Sequence, residues 1–179
     1  MQNLPNRKSI RLKNYNYAEN GLYFITICSY KNQKIFGNIN QISNEKIILS
    51  KVGKIIQKHW FEIPEHYKFA ELDFFVIMPD HIHGIILLDN GRIFAPDGIN
   101  KFQNVISNSI SSIIRSFKAS VTKAVRQELN IQFVWQRGFY EHVIKNEKEL
   151  NKIREYIYNN PLKFKLEKTG LKIFNPYRK

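Results

Sequence analysis

The sequence predicts an α+β fold with a βαββαβ core, in which an antiparallel sheet carries helices on one face. Segments of strand composition alternate with segments whose apolar residues recur every three or four positions, as on one face of a helix. Two of the strand segments are separated only by a short turn, which requires antiparallel pairing. With 179 residues and 43% apolar side chains, the chain is long enough for one core. We therefore predict a single domain over residues 1–179.

The first half of the chain predicts a strand, a hairpin and a helix. Residues 22–29, LYFITICS, are rich in aromatic and β-branched side chains and predict the first strand. Residues 34–49 predict a hairpin with its turn near residues 41–44. Ser50 is suited to cap the helix that follows, and Pro64 predicts its end. The apolar face of this helix is predicted to hold Val52, Ile55, Ile56 and Trp60.

The middle of the chain predicts two more strands and a long helix. Residues 72–78 and 81–88 are strands on either side of a turn at Pro79 and Asp80. Residues 104–129 have apolar positions at helical spacing and predict a helix. These elements are the second and third strands and the second helix of the core.

The last third of the chain predicts one strand and one helix. Residues 133–144 predict a strand interrupted at Arg137 and Gly138, and the final helix is predicted to begin at the N-cap Asn146 and to end at Pro161. The complete order is that of a ferredoxin-like βαββαβ core. To it are added an extra hairpin and a C-terminal helix that carries Tyr156.

Charge and composition restrict the function classes. The net charge of +13 favours a polyanionic partner such as nucleic acid. No run of 18 apolar residues exists, and the first residues lack the apolar core of a signal peptide, so we expect no membrane span and a cytoplasmic, nucleoid-associated protein. The single cysteine, Cys28, excludes an internal disulfide framework and a thiolate zinc cluster.

Basic residues concentrate in three regions. We predict a basic N-terminal arm over residues 1–20 and a basic C-terminal tail over residues 161–179. In the helix at 104–129, the basic side chains lie away from the apolar face, and no acidic residue occurs between Asp97 and Glu128. Phosphate contact is the favoured interpretation, with a solvated face as the alternative. The predicted DNA-binding residues are Arg7, Lys8, Arg11, Lys13, Arg115, Lys118, Lys123 and Arg126.

Two histidines stand one residue apart in an apolar strand. In an extended chain His81 and His83 point to the same face, and Ile82 points to the other. Such a pair can supply two ligands to one metal ion, although a pair of surface histidines would have the same pattern. In the last helix Tyr156 lies beside the apolar stripe, and Asn160 follows one turn later. A tyrosine hydroxyl and a carboxamide are therefore candidates to complete a site with the histidines.

At these positions the sequence resembles the HUH single-strand endonucleases of the IS200-like superfamily, and within them the REP-associated tyrosine transposases. The resemblance covers nearly the whole chain, on the stretches MPDHIHGII, REYIYNNPLKF, RKSIRLKNYNYAENGLYFITI and IIRSFKASVTKAV. It implies Tyr156 as the nucleophile and His81, His83 and Asn160 as ligands of Mg²⁺ or Mn²⁺.

The resemblance also implies a reaction and a partner. The expected activity is metal-dependent cleavage and strand transfer of single-stranded DNA near hairpin-forming, REP-like repeats, through a 5′-phosphotyrosine intermediate. The expected assembly is a monomer or a homodimer. Two alternatives remain open: a catalytically inactive nucleic-acid-binding protein on the same fold, and a His-x-His metallohydrolase in which Tyr156 takes no part.

Overall fold

The computed structural model describes residues 20–43, 46–89 and 109–168. The strands are β1 (Gly21–Cys28), β2 (Gly37–Ser43), β3 (Lys46–Leu49), β4 (Ala70–Ile77), β5 (His81–Leu88) and β6 (Tyr140–Ile144). The helices are α1 (Lys51–Phe61), α2 (Ile63–His66), α3 (Ile110–Leu129) and α4 (Glu147–Lys168). The predicted hairpin turn, the predicted start of the long helix before residue 109 and the basic N-terminal arm lie wholly or partly outside the described residues.

Four strands form one antiparallel sheet in the order β4-β5-β1-β6. The two central strands, β1 and β5, are each paired on both sides. This order, together with the helices α1 and α3 that connect its strands, is the βαββαβ arrangement that the sequence predicted, so the α+β fold is confirmed. The predicted extra hairpin is also present, because β2 and β3 pair with each other outside the main sheet.

One face of the sheet packs against α1 and α3. Because side chains alternate along a strand, Tyr23, Ile25 and Ile27 of β1 all point to this face, where they join the larger hydrophobic core. Trp60 of α1 and Phe117 of α3 meet edge to face within the same core, at 5.4 Å between ring centroids. The predicted layer of helices therefore lies on this side of the sheet.

The opposite face of the sheet is covered by α4. Phe24 of β1 and Ile85 of β5 form a second, smaller hydrophobic core with three residues of the helix, namely Leu150, Ile153 and Ile157. These three residues are the stripe expected from their spacing. The sheet is thus covered on both faces, which the βαββαβ pattern does not require.

Two predicted boundaries were wrong. The last helix does not end at Pro161 but continues to Lys168, so residues 161–168 of the predicted tail are helical. A proline inside a helix removes one backbone donor, and packing offsets that loss here because Asn160 and Pro161 are both buried. The predicted strand at residues 133–144 is reduced to β6 and one isolated bridge between Ser29 and Trp135.

The described part of the chain contains no helix that is both long and apolar enough to cross a membrane.

The cap predicted at Ser50 is confirmed, since its hydroxyl oxygen accepts a hydrogen bond from the Gly53 N–H at 3.0 Å. Pro64 lies in the first turn of α2, where a missing N–H costs little.

Gly84 is required by close packing against Trp60. A Cβ atom at this position would lie 2.3 Å from Trp60 Cζ2 and 2.7 Å from Trp60 Cη2. We expect Gly84→Ala to lower the free energy of unfolding by about 1–3 kcal/mol, the usual cost of overpacking a core. Urea denaturation measures this loss. Adding Trp60→Phe removes the clashing atoms, so the double variant should lose less stability than the two single losses added together; strict additivity would contradict the packing argument.

Candidate active site

His81 and His83 project from the central strand β5 toward the face that α4 covers. They share this face with Ile85, while Ile82 and Ile86 point into the core under α1 and α3. The two imidazole centroids are 4.7 Å apart and the rings are inclined at 71°. The strand therefore presents the pair side by side, as the sequence predicted.

His83 is held by contacts on both ring nitrogens. Its Nδ1 lies 2.8 Å from Thr26 Oγ1 on the neighbouring strand β1, and its Nε2 lies 3.3 Å from the hydroxyl oxygen of Tyr156. The side chain is 5% exposed. Burial lowers the pKa of His83 well below its ordinary value of 6.5, and the neighbouring His81 lowers it further. His83 is therefore a neutral imidazole at physiological pH.

His81 is oriented by the residue that precedes it. Its Nδ1 lies 2.6 Å from Asp80 Oδ1. Burial on its own would raise the pKa of Asp80, but the hydrogen bond and charge of His81, a backbone hydrogen bond and the charge of Lys34 together lower that pKa. The ionised carboxylate accepts the bond, so Nδ1 of His81 carries the proton that is donated. Nε2 of His81 is left as the nitrogen that can act as a ligand.

Tyr156 reaches the histidines from α4. Its ring is 6% exposed and lies edge to face with His83, at 5.3 Å between centroids. The ring of Phe24 stacks on His83 and lies edge to face with Tyr156, so it packs against both of these rings. Tyr158, two residues on, is 68% exposed and points away from the site. The residues that the sequence predicted to converge, a phenol and two imidazoles, thus lie together within one chain.

Asn160 lies one helical turn after Tyr156 and is 7% exposed. Because α4 continues through Pro161, the preceding Asn160 remains helical and stays on the same side of the helix as Tyr156. In the described part of the chain, no hydrogen bond joins Asn160 to either imidazole. Asn160 is therefore buried on the same side of α4 as Tyr156 but is not hydrogen-bonded to the histidines among the described residues.

The donor set fits a divalent cation. Nδ1 of each histidine has an oxygen neighbour, so Nε2 of each would be the ligand atom, the arrangement usual for metal-binding histidines; in this structure Nε2 of His83 lies 3.3 Å from the Tyr156 hydroxyl. Two neutral imidazoles and one carboxamide leave coordination positions for water and phosphate oxygens. Among the described residues, no group of three or more His, Cys, Asp or Glu side chains gathers as a metal cluster.

Ionic contacts at both edge strands fix α4 on the sheet. Arg154 donates from Nε and Nη2 to Asp73 Oδ2 of β4, at 2.9 and 2.7 Å. At the start of the helix, Glu149 Oε1 lies 2.8 Å from His142 Nε2 of β6. The predicted cap at Asn146 is formed, because its Oδ1 accepts from the Glu149 N–H at 2.9 Å. The position of Tyr156 is thus set by contacts that lie outside the site.

Comparison with known proteins finds similar sequences and one similar fold. No family model matches the sequence. An uncharacterized Haemophilus influenzae protein is 41% identical over 165 residues, which are 89% of this chain and 90% of that protein. A second H. influenzae protein, provisionally named a REP-associated tyrosine transposase, is 28% identical over 85% of this chain and 77% of its own length. A REP-associated tyrosine transposase of Escherichia coli is 32% identical over 52% of this chain and 45% of its own length.

The chain is similar in sequence to REP-associated tyrosine transposases. A solved structure of a REP-associated tyrosine transposase bound to a REP hairpin has a TM-score of 0.57 to this chain. The match covers 87% of this chain and 74% of the other at 22% identity. At that identity the likeness is one of fold, and it agrees with the sheet and helices described above.

The predicted DNA-binding residues of α3 do not all share one environment. Arg115, Lys123 and Arg126 are exposed. Lys118 departs from the predicted stripe, because its Nζ donates hydrogen bonds to the carbonyl oxygens of Gln136 and Gly138 at 2.7 and 2.8 Å. Burial lowers the pKa of Lys118 to about 8. Arg7, Lys8, Arg11 and Lys13 lie outside the described residues.

Two residues of the candidate site were missed from the sequence. Asp80 was interpreted only as a turn residue, although its place immediately before His81 was a signal that it could orient the imidazole. Thr26 gave no signal, because its role depends on the register that pairs it with His83 across two strands.

The anchor between Asp73 and Arg154 can be tested without any assay of activity. Asp73→Ala removes a charged, two-point hydrogen bond, which contributes about 1–2 kcal/mol. We expect amide hydrogen exchange in α4 to become roughly 5–30-fold faster. Glu155→Ala, on an exposed position of the same helix, is the matched control and should leave exchange unchanged. Equal protection of α4 in both variants would show that this ion pair does not hold the helix.

Proposed function

We propose that this chain is a metal-dependent endonuclease and strand transferase that acts on single-stranded DNA near hairpin-forming repeats through a 5′-phosphotyrosine intermediate. One observation carries the proposal: in a chain similar in sequence to tyrosine transposases, the hydroxyl of Tyr156 lies 3.3 Å from Nε2 of His83. A nucleophile and two candidate metal ligands at this separation suit phosphodiester cleavage.

Tyr156 is the nucleophile in this proposal. Its hydroxyl oxygen attacks the phosphorus atom of the DNA backbone, so the Oη–P bond forms while the bond from phosphorus to the 3′ oxygen breaks. The phenol gives up its proton to solvent, the departing 3′ oxygen takes up a proton and leaves as a hydroxyl, and the phosphate stays on Tyr156 at the 5′ end of the other fragment. Because the phosphoester is retained, attack by a second 3′ hydroxyl reverses the bond changes and joins a new strand without ATP.

The surrounding side chains prepare Tyr156 for attack. Phe24 and His83 pack against its ring, so the phenol is already restricted to few orientations before the reaction begins. The ammonium of Lys163 lies 5.8 Å from the ring centroid, which places a positive charge where an anionic backbone must approach. His81, His83 and Asn160 would hold a divalent cation. A bound Mg²⁺ or Mn²⁺ would supply positive charge to the nonbridging oxygens of the phosphate.

The partner in this proposal is single-stranded DNA that carries a hairpin. Support comes from the solved relative that is bound to a REP hairpin and from the net charge of +13. The exposed Arg115, Lys123 and Arg126 are proposed to contact phosphates. Arg7, Lys8, Arg11 and Lys13 are proposed for the same role. One chain supplies both the tyrosine and the histidines, so a monomer has the residues needed for one site.

Removing the phenolic oxygen tests the nucleophile. Purified protein is incubated with Mn²⁺ and a labelled hairpin DNA that has single-stranded flanks, and covalent adducts are separated on a denaturing gel. We expect the wild type to form an adduct and Tyr156→Phe to form none. Tyr158→Phe is the matched control, because Tyr158 is exposed on the same helix, and it should behave as the wild type. Cleavage that survives in Tyr156→Phe would favour a metallohydrolase, and DNA binding without cleavage by the wild type would favour an inactive binding protein.

The hydrogen bond between Thr26 and His83 is expected to support activity indirectly. Thr26→Val keeps the shape of the side chain but frees the imidazole to rotate and change tautomer. Loss of such a supporting contact typically costs about 10–100-fold in metal affinity or activity. We therefore expect the rate of adduct formation to fall by about that factor, and Thr26→Ser, which keeps the hydroxyl, should recover most of it. Equal rates for the valine and serine variants would exclude this role.

A further inference from the structure

A second concave surface lies away from the histidines, between α3 and the segment that precedes β6. It is an open groove of about 740 Å³. Lys123 and Arg126 line it from α3, and Phe133, Trp135 and Arg137 line it from residues 132–138. We call this surface the α3 groove.

The α3 groove has the charge expected for an anionic ligand. Lys118, Lys123, Arg126 and Arg137 all line it, and no Asp or Glu does so among the residues that the structure describes. Lys123, Arg126 and Arg137 are exposed, so their charges are available to a ligand, and Arg126 also donates from Nε and Nη2 to the Gln132 carbonyl oxygen at 3.4 and 3.3 Å. Lys118 instead donates to backbone carbonyl oxygens and has a structural role.

An aromatic platform stands at the wall of the groove. Phe133 is 61% exposed. Its ring stacks on Tyr30 with 5.0 Å between centroids and 25° between planes. The Lys31 ammonium lies 5.3 Å from the Tyr30 centroid. A flat apolar surface is thus surrounded by positive charge, which is the combination that binds unpaired bases and their phosphates.

The groove is preformed. Lys118 ties residues 136 and 138 to α3 through two hydrogen bonds. Trp135 donates from Nε1 to the Lys118 carbonyl oxygen at 3.2 Å, and its ring packs against Phe117 and Phe36 of the core. Both walls are therefore fixed relative to each other before a ligand binds, which reduces the entropy cost of binding.

Backbone hydrogen bonds connect the groove to the histidine site. Tyr30 N–H donates to Val134 O, and Gln136 N–H donates to Cys28 O, each at 2.9 Å. Residues 28–30 also bond to the start of β5, because Ser29 N–H donates to the carbonyl oxygen of Asp80 at 2.8 Å, and Asp80 directly precedes His81. Residues 134–136 are thus two strand spacings from the start of β5, which is about 10 Å. A strand of a few nucleotides can span that separation.

We propose that the α3 groove binds an unpaired DNA strand, with a base stacked on Phe133 and phosphates at Lys123, Arg126 and Arg137. A duplex fits less well, because its bases are stacked on each other and offer no free face to Phe133. That the nucleic acid is DNA rests on the function proposed above. The stacking and charge argument stands independently of catalysis by Tyr156.

Binding is measured by fluorescence anisotropy in the Tyr156→Phe background, so that neither cleavage nor adduct formation affects the result. The probes are labelled oligothymidylate of about ten nucleotides, an oligouridylate of equal length and a blunt DNA hairpin without flanks. We expect Phe133→Ala to weaken oligothymidylate binding by about 5–100-fold and to leave hairpin binding within about twofold. Phe133→Trp, which keeps a stacking face, should bind at least as tightly as the unsubstituted protein.

Phe61→Ala is the matched control, because Phe61 is an exposed phenylalanine on α1, and it should change neither affinity. Unchanged oligothymidylate binding in Phe133→Ala, or an equal loss for oligothymidylate and hairpin, would overturn the proposal. Tighter binding of oligouridylate would overturn the assignment to DNA. None of these results depends on whether the wild type forms a covalent adduct, so failure of the groove and failure of the proposed chemistry can be told apart.

The proposed phosphate contacts can be tested through the salt dependence of oligothymidylate affinity. Each phosphate contact with a single strand contributes about 0.7 to the slope of log affinity against log salt concentration. We expect Lys123→Ala and Arg137→Ala each to reduce the slope for oligothymidylate by about that amount. Lys58→Ala, a highly exposed lysine of α1, is the control. Slopes unchanged in both groove variants would show that these residues do not contact the strand.

Discussion

The meeting of Tyr156 and His83 depends on the burial of both faces of one sheet. Strand β5 alternates strictly, so the register that turns Ile82 and Ile86 toward α1 and α3 also turns His81 and His83 to the other side. On that side α4 excludes water with Leu150 and Ile153, and the same helix carries the tyrosine. A shift of one residue in the strand register would move both imidazoles into the apolar core, so fold stability and site geometry depend on one constraint.

Burial of a polar cluster requires that its members have partners. His83 is enclosed by Thr26, Phe24 and Tyr156, and the contacts at its two nitrogens offset the desolvation of the imidazole. The contacts of Arg154 with Asp73 and of Glu149 with His142 position α4 against the two edge strands. The site is therefore organised before any ligand arrives, and its geometry is supported by residues that do not take part in chemistry.

The charge of the chain is distributed around this site in a way that suits a long polyanion. The catalytic candidates lie under α4, whereas Lys123, Arg126 and Arg137 lie in the α3 groove beyond the end of the sheet. Backbone hydrogen bonds through residues 28–30 join the two regions. A strand bound along this path would meet a stacking surface before it reached Tyr156. Binding energy gained away from the cleaved bond can then contribute to its alignment.

The order of elements, the apolar face of each helix and the pairing of His81 with His83 could all be predicted from local periodicity, because they depend only on side chains near in sequence. Even the cap at Asn146 follows from residues within one helical turn. Chain order alone was also enough to predict the ferredoxin-like arrangement.

Other features depend on residues that are distant in sequence. Pro161 was predicted to end α4, but burial of Asn160 and Pro161 outweighs that local tendency. The spacing of Lys118 along α3 predicts a basic side chain that faces solvent, yet its ammonium donates to the carbonyl oxygens of Gln136 and Gly138. Thr26 becomes a partner of His83 only when two strands pair in register. Periodicity determines which face of an element is apolar, whereas strand register and helix docking decide which polar groups meet, because those contacts form between segments that no local pattern links.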